Sequence, residues 1–272
     1  MLEKGEHGMK GIRIGGLLAV GALVAVSAMP AEAQLTKEEF SCESKTSGAL
    51  AKFAGAKQKC ITKCEQGARK GANPFGDCDS PGYGGGTATC ILDAAKGAEA
   101  KAKAAIAKGC VKDCPECYSG GSCATQASTQ VGIAEAKLDA LAGNIYCETV
   151  VDKAKNKCSD TLAKSLAKFL GAKSKCYAKC FTGVQKGSIQ ASECAPPVGD
   201  SKTEDCINKA EAKAEAAIEK TCFESPAVAP ACYDGSPSRP ITGSGWVALV
   251  EAVVDPTVPA TFCSSPSGAF LD

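Results

Sequence analysis

Ala51–Gly71 reads AKFAGAKQKCITKCEQGARKG and Ala167–Gly187 reads AKFLGAKSKCYAKCFTGVQKG, and the two superpose without a gap at an offset of 116 residues. That self-similarity is the mark of an internal duplication. At the same offset Cys42 falls on Cys158, Cys60 on Cys176, Cys64 on Cys180, Cys78 on Cys194, Cys90 on Cys206 and Cys147 on Cys263. Between these anchors, ILDAAKGAEAKAKAAIAKGC resembles the shorter INKAEAKAEAAIEKTC, which brings Cys110 onto Cys222, and Cys117-Tyr118 answers Cys232-Tyr233. The 18 cysteines therefore divide into two matched sets of eight, with Cys114 and Cys123 left over in the first.

The quoted stretches read as the carboxyl-terminal parts of two long helices, over Thr36 to Lys70 and about Cys147 to Lys186. Leu162, Leu166, Phe169 and Ala172 recur at helical spacing, with Cys158, Cys176 and Cys180 on the same stripe. Thr36-x-x-Glu39 is a candidate capping box, and Gly71 and Gly187 are the expected stops. A shorter return helix is expected in each copy, over Thr89–Lys112 and Lys202–Thr221, the latter opened by Ser201-x-x-Glu204. Val131–Leu141 reads as a third, amphipathic helix, whose counterpart is Trp246–Val254.

A bridge that belongs to the duplication should occur in both copies. Cys42 and Cys60 are separated by five helical turns and share a face; an antiparallel return helix meets them in reverse order. The expected pairs are thus Cys42 with Cys110 and Cys60 with Cys90, repeated as Cys158 with Cys222 and Cys176 with Cys206. Cys64 closes locally on Cys78, Cys180 on Cys194, and the unmatched Cys114 on Cys123. Cys117 with Cys147 and Cys232 with Cys263 would tie down the segment after each hairpin. Cys206 and Cys222, sixteen residues apart, lie about 160° from each other on an ideal helix, and Cys90 and Cys110 are similarly displaced in the other sense. Either one cysteine of each pair sits at a distorted helix end, or Cys60 and Cys64 exchange partners.

An even cysteine count of this size belongs to an oxidising compartment. Lys10 and Arg13, the apolar run Ile14–Met29, Pro30 and Ala31-Glu32-Ala33 follow the order of a bacterial secretory signal with an A-x-A cleavage site. Residues 1–33 are expected to be removed after Ala33; Met9 offers a second start. The only histidine, His7, would leave with that leader. Its loss excludes Ser-His-Asp catalysis, histidine-ligated metal and C-x-x-C-H haem attachment from the mature chain.

Of the 272 residues 44% are hydrophobic but only 5% aromatic, and eight of the fourteen residues in Ala94–Ala107 are alanine, a strong helix former that buries little area. Bridges are expected to carry much of the stability. The charge of +1 overall hides local excess. Lys153–Lys186 has nine lysines against Asp160 alone, whereas Glu193–Glu224 has eight acids and four lysines, so those two helices are read as neutralising one another. In the first copy Lys96–Lys112 is basic too, leaving a surface for weak contact with anionic glycan, lipopolysaccharide or extracellular DNA. Scarce arginine and aromatics argue against specific nucleic-acid binding.

Neither Cys114-Pro115-Glu116-Cys117 nor Gly82–Gly86 (GYGGG) stands in the strand-to-helix setting that redox or phosphate chemistry uses, and both read as structural. Trp246, Leu249 and Val250 read as a terminal cap, or else as a docking surface.

The expected fold is all-α, two tandem disulfide-stapled three-helix repeats over residues 34–144 and 145–272, the second ending in a Pro/Ser/Gly-rich tail. The expected protein is secreted or periplasmic, without catalytic, cofactor or metal site and with no transmembrane segment after cleavage. It would act as a structural or interaction module for an envelope or extracellular partner. The alternative is a periplasmic thiol-disulfide or metal-handling protein.

Overall fold

The computed structural model describes residues 35–79, 82–118, 123–149, 152–224 and 228–264, and the leader read over residues 1–33 lies outside them. Of the described residues 74% are helical and none forms a strand. No helix among them is long and apolar enough to cross a membrane.

Two long helices, α1 (Lys37–Ala68) and α5 (Lys153–Gln185), form the frame. The α1 start is the Thr36 capping box: Glu39 N–H donates to Thr36 Oγ1 at 3.2 Å and Thr36 N–H to Glu39 Oε2 at 2.7 Å. The α5 start lies six residues beyond the expected Cys147, because the Asp152 carboxylate accepts from both Ala154 and Lys155 N–H at 2.9 Å and sets the cap there. Both helices stop alike, on Gly71 and Gly187 at φ 72° and 69°, where a side chain would be strained. The two run antiparallel: Arg69 at the end of α1 pairs with Asp160 near the start of α5 at 3.0 Å, and Gln185 at the end of α5 donates to Leu35 O at 3.1 Å.

The return segments differ from the expected continuous helices, and the differences resolve the phase conflict in the cysteine spacing. The first is broken into α2 (Gly85–Leu92) and α3 (Ala98–Gly109). At the break Asp93 Oδ1 accepts from Ala95 and Lys96 N–H, and a Cβ on Gly97 would stand 2.6 Å from Ile91 O. Cys90 and Cys110 therefore belong to different helices. The second, α6 (Ser201–Ile218), is capped by Asp200 rather than opened by Ser201, and continues into a π-helical turn, Glu219–Phe223, that contains Cys222. The wider turn rotates each residue less and reduces the angular gap from Cys206.

The remaining helices are α4 (Cys123–Ile145) and α7 (Gly243–Val254), the latter followed by the short α8 (Val258–Thr261). Sulfur bonds join Cys42 to Cys110, Cys60 to Cys90, Cys64 to Cys78, Cys114 to Cys123, Cys158 to Cys222, Cys176 to Cys206 and Cys180 to Cys194. Two bridges depart from the expected set. Cys117 is bonded to Cys263 and Cys147 to Cys232, with Cα atoms 5.5 and 6.1 Å apart, in place of Cys117 with Cys147 and Cys232 with Cys263. The reason is the length of α4. Its 23 residues span about 34 Å, so Cys117 and Cys147 stand beyond opposite ends of a rod, far outside the roughly 7 Å that a bridge tolerates.

Hydrogen bonding follows the same exchange. Tyr118 Oη donates to Thr261 O at 2.6 Å and Tyr233 Oη to Ile145 O at 2.8 Å, and Ile145 and Thr261 are related by the 116-residue offset. Burial, first of all, holds both phenols protonated, well above the usual tyrosine range. The cores interlock correspondingly. Leu141 and Ile145 at the end of α4 pack with Cys158, Phe169 and Trp246, and Cys263 packs with Cys42, Phe53 and Tyr118. The segments before and after the start of α5 are thus tied to each other by two covalent and two hydrogen-bonded contacts, and the described residues belong to one compact unit.

Candidate functional site

All 18 cysteines are bridged. The Cys114-x-x-Cys117 pair is not joined to itself: Cys114 is bonded to Cys123 and Cys117 to Cys263. Two clusters each bring three residues of metal-ligating type within 4.8 Å, Cys42/Cys110/Cys123 and Glu43/Cys117/Cys263. Their sulfurs are disulfide sulfurs, which lack the thiolate charge that makes cysteine a strong ligand.

Two groups that the sequence reading passed over lie at the centre of each half. Lys57 Nζ on α1 is fully buried and meets Glu135 at 2.9 Å and Asp139 at 2.5 Å on α4. Lys173 Nζ on α5 is 2% exposed and meets Glu251 at 2.5 Å and Asp255 at 2.8 Å. All three members of the second group lie 116 residues beyond those of the first. Each ammonium also stands near a phenylalanine ring, Phe53 at 5.9 Å and Phe169 at 5.8 Å. A tyrosine completes each group from a different element: Tyr83, preceding α2, donates to Asp139 at 2.5 Å, and Tyr177 of α5 donates to Asp255 at 3.0 Å. In the second half Glu211 is pushed up to about 7, chiefly by burial and then by its hydrogen bond to Glu251. Burial opposes ionisation of Glu251, but that bond and Lys173 hold its carboxyl below the usual range. The hydrogen bond between the two carboxyls thus favours the charge on Glu251, beside the lysine. The signal available for both groups was the recurrence of lysine, glutamate and aspartate at the 116-residue offset, with the acids spaced i, i+4. These charges are structural: each is consumed by its partners.

The free charge lies elsewhere. A cleft of about 890 Å³ opens between α1 and α5, walled by Lys59 and Lys63 from α1 and by Lys153, Lys157, Lys164 and Lys168 from α5. All six are exposed, and none has an ion pair within 4.0 Å among the described residues. The expected neutralisation of α5 by the acidic α6 does not occur: no ion pair joins those helices among the described residues, and buried Lys173 pairs with Glu251 of α7 and with Asp255 just beyond it. The lysines face away from α6 because the apolar stripe of α5 is what packs on it. The one acid in the cleft, Asp160, is already held by Arg69 at 3.0 Å, Gln66 at 2.8 Å and the Tyr146 hydroxyl at 3.3 Å. Near its start the same ion-pair group borders Glu65, whose carboxyl burial pushes up to about 7 against the pull of Arg69.

The docking surface considered at Trp246, Leu249 and Val250 is not one. Trp246 and Val250 are fully buried, Leu249 packs on the same core, and the Tyr233 ring meets Trp246 edge-on at 5.0 Å. The apolar face of α7 fills the second half's core, as α4 does in the first. Compared with protein-family models, curated proteins and solved structures, the chain matches none.

Proposed function

We propose that the chain is an exported, non-enzymatic binding scaffold of the bacterial envelope or extracellular space, built from two tandem disulfide-stapled three-helix copies over residues 34–144 and 145–272. The observation that carries this reading is that every cysteine is committed to a bridge, two of them linking the halves. Nine bridges form and persist only where the medium oxidises thiols. A thiol-disulfide exchanger or metal carrier needs thiolates, and this framework spends them on construction. What remains for function is the rigid surface, above all the unpaired charge on α1 and α5.

Fractionation of the producing cell tests the proposal. The expected protein is found in periplasm or medium, begins at Gln34, and shows no reactive thiol after denaturation without reductant. Cytoplasmic protein carrying three or more free thiols would refute it.

A further inference from the structure

We infer that the α1/α5 cleft is a binding site for a linear anionic polysaccharide bearing carboxylates; the inference rests on the scaffold reading and names the partner of that surface. Charge is the first observation. Six unpaired lysines line one concavity, and on α5 they run from Lys153 to Lys168, about 22 Å along the helix axis. Field lines from like charges on facing walls concentrate in such a cleft, which draws in a polyanion and favours one that extends along it.

The second observation is independent of charge. Gln58 lies in the cleft lining with 5% of its surface exposed, and its Nε2 has no hydrogen-bond partner among the described residues. A buried amide donor left unpaired is costly, and a turn of the Gln58 side chain toward the cleft would let a ligand oxygen satisfy it. Asn156 and Thr161 also belong to the lining and add amide and hydroxyl groups of the kind that pair with sugar hydroxyls, whereas the Thr62 hydroxyl is already engaged with Tyr146 at 2.9 Å.

The molecule supplies its own comparison. The 116-residue offset carries Lys59 to Lys175, Lys63 to Lys179, Lys153 to Lys37 and Lys168 to Lys52, at the opposite end of the α1/α5 pair. There, however, Lys157 and Lys164 are answered by Ser41 and Gly48, and Gln58 by Ser174, whose hydroxyl is satisfied by Leu170 O at 2.9 Å. The opposite end has an unpaired buried hydroxyl of its own, Ser44 Oγ, beside Lys52 and Lys175, so it is the number of lysines that sets the first end apart. Sugar polymer is favoured over nucleic acid because the lining holds no arginine fork and no aromatic ring for a base to stack on. It is favoured over a membrane because the lysines face into a concavity and the exposed large apolar residues, Leu92, Val111, Ile133 and Ile241, are not part of its wall.

The test is calorimetric titration of the oxidised full-length protein with a polygalacturonate decamer, alongside single-stranded DNA of equal charge. Changing Lys59, Lys63, Lys157 and Lys164 together to glutamine should weaken decamer binding by about tenfold or more, as expected for several cation contacts. Gln58→Leu should weaken it by about fivefold, the worth of one hydrogen bond, and this loss should persist at high salt. Lys52→Gln/Lys175→Gln should change it less than about twofold. Circular dichroism confirms that each variant keeps its helices. Absence of decamer binding to the native protein would overturn the inference, as would equal losses in the control variant, or DNA binding as tight as that of the decamer. An exported, fully bridged protein that fails to bind refutes the cleft alone. Free thiols and cytoplasmic location refute the scaffold whatever the protein binds.

Discussion

Reduction of the oxidised protein in native buffer is expected to abolish most of its helical circular-dichroism signal at room temperature and to remove any cooperative melting transition. The helices have little else to hold them. On α3 the residues facing the core are Ala98, Ala102 and Ile106, and alanine contributes little burial to the clusters they join. Cysteines are themselves core residues: Cys42, Cys158, Cys194 and Cys222 are fully buried. In the chain-entropy picture, the bridges Cys42–Cys110 and Cys158–Cys222, closing 68 and 64 residues, contribute about 4 kcal/mol each. Two such terms already rival the whole stability of an ordinary domain, about 5–15 kcal/mol. Lone helices of the length of α3 or α7 are marginal in water even with good helix formers. A reduced protein that keeps its full signal and its melting point would show that packing, not cross-linking, carries the fold.

Lys57→Met is expected to destabilise the oxidised protein by about 3–5 kcal/mol, measured by urea unfolding with the bridges intact. The substitution fills the volume of the aliphatic stem but leaves Glu135 and Asp139 facing one another, 21% and 17% exposed, without the cation that both surround. Removing one partner of a buried ion group is costly, whereas replacing the whole group is not. The triple change Lys57→Met/Glu135→Gln/Asp139→Asn should therefore recover at least half of the loss, and asparagine retains an acceptor for the Tyr83 hydroxyl. Lys173→Met should behave similarly, with Glu211 an additional group left in the same pocket. A cost below about 1 kcal/mol for Lys57→Met would place the group among solvent-screened pairs.

These lysines also connect local packing to the cross-links. Lys57 fixes α4 on α1 in one register and Lys173 fixes α7 on α5, because an ammonium between two acids one turn apart accepts no slip along the helix. Register decides where the ends of α4 and α8 emerge. Cys147 and Cys263 lie just beyond those ends, next to Cys232 and Cys117. The buried polar groups thus aim the bridges that join the halves.

The long helices, their caps and most cysteine partners are legible from the chain because they depend on local chemistry and on helical period. Thr36 with Glu39 marks a start, Gly71 and Gly187 mark stops, and eighteen residues between Cys42 and Cys60 set a common face. The exchanged bridges are not legible by the same route. Cys117–Cys147 with Cys232–Cys263 and Cys117–Cys263 with Cys147–Cys232 satisfy the self-similarity equally, since each set maps onto itself when Cys117 is exchanged with Cys232, 115 residues apart, and Cys147 with Cys263, 116 apart. Only the rigid length of α4 separates them, and Val131–Leu141 is less than half of that helix. The break at Asp93 is obscured by the alanine-rich run that follows it. The lysine-lined cleft is half legible: the basic excess of α5 is plain in the sequence, but that its lysines border α1 while its apolar stripe packs on α6 is a tertiary fact.

Peptide mapping of the unreduced protein by mass spectrometry bears most directly on the interlocked architecture. The expected cross-linked peptides join Cys117 to Cys263 and Cys147 to Cys232, so that a chain cleaved once between Cys147 and α5 stays in one piece until it is reduced. Peptides joining Cys117 to Cys147 or Cys232 to Cys263, with two fragments separating after that single cleavage without reductant, would contradict it.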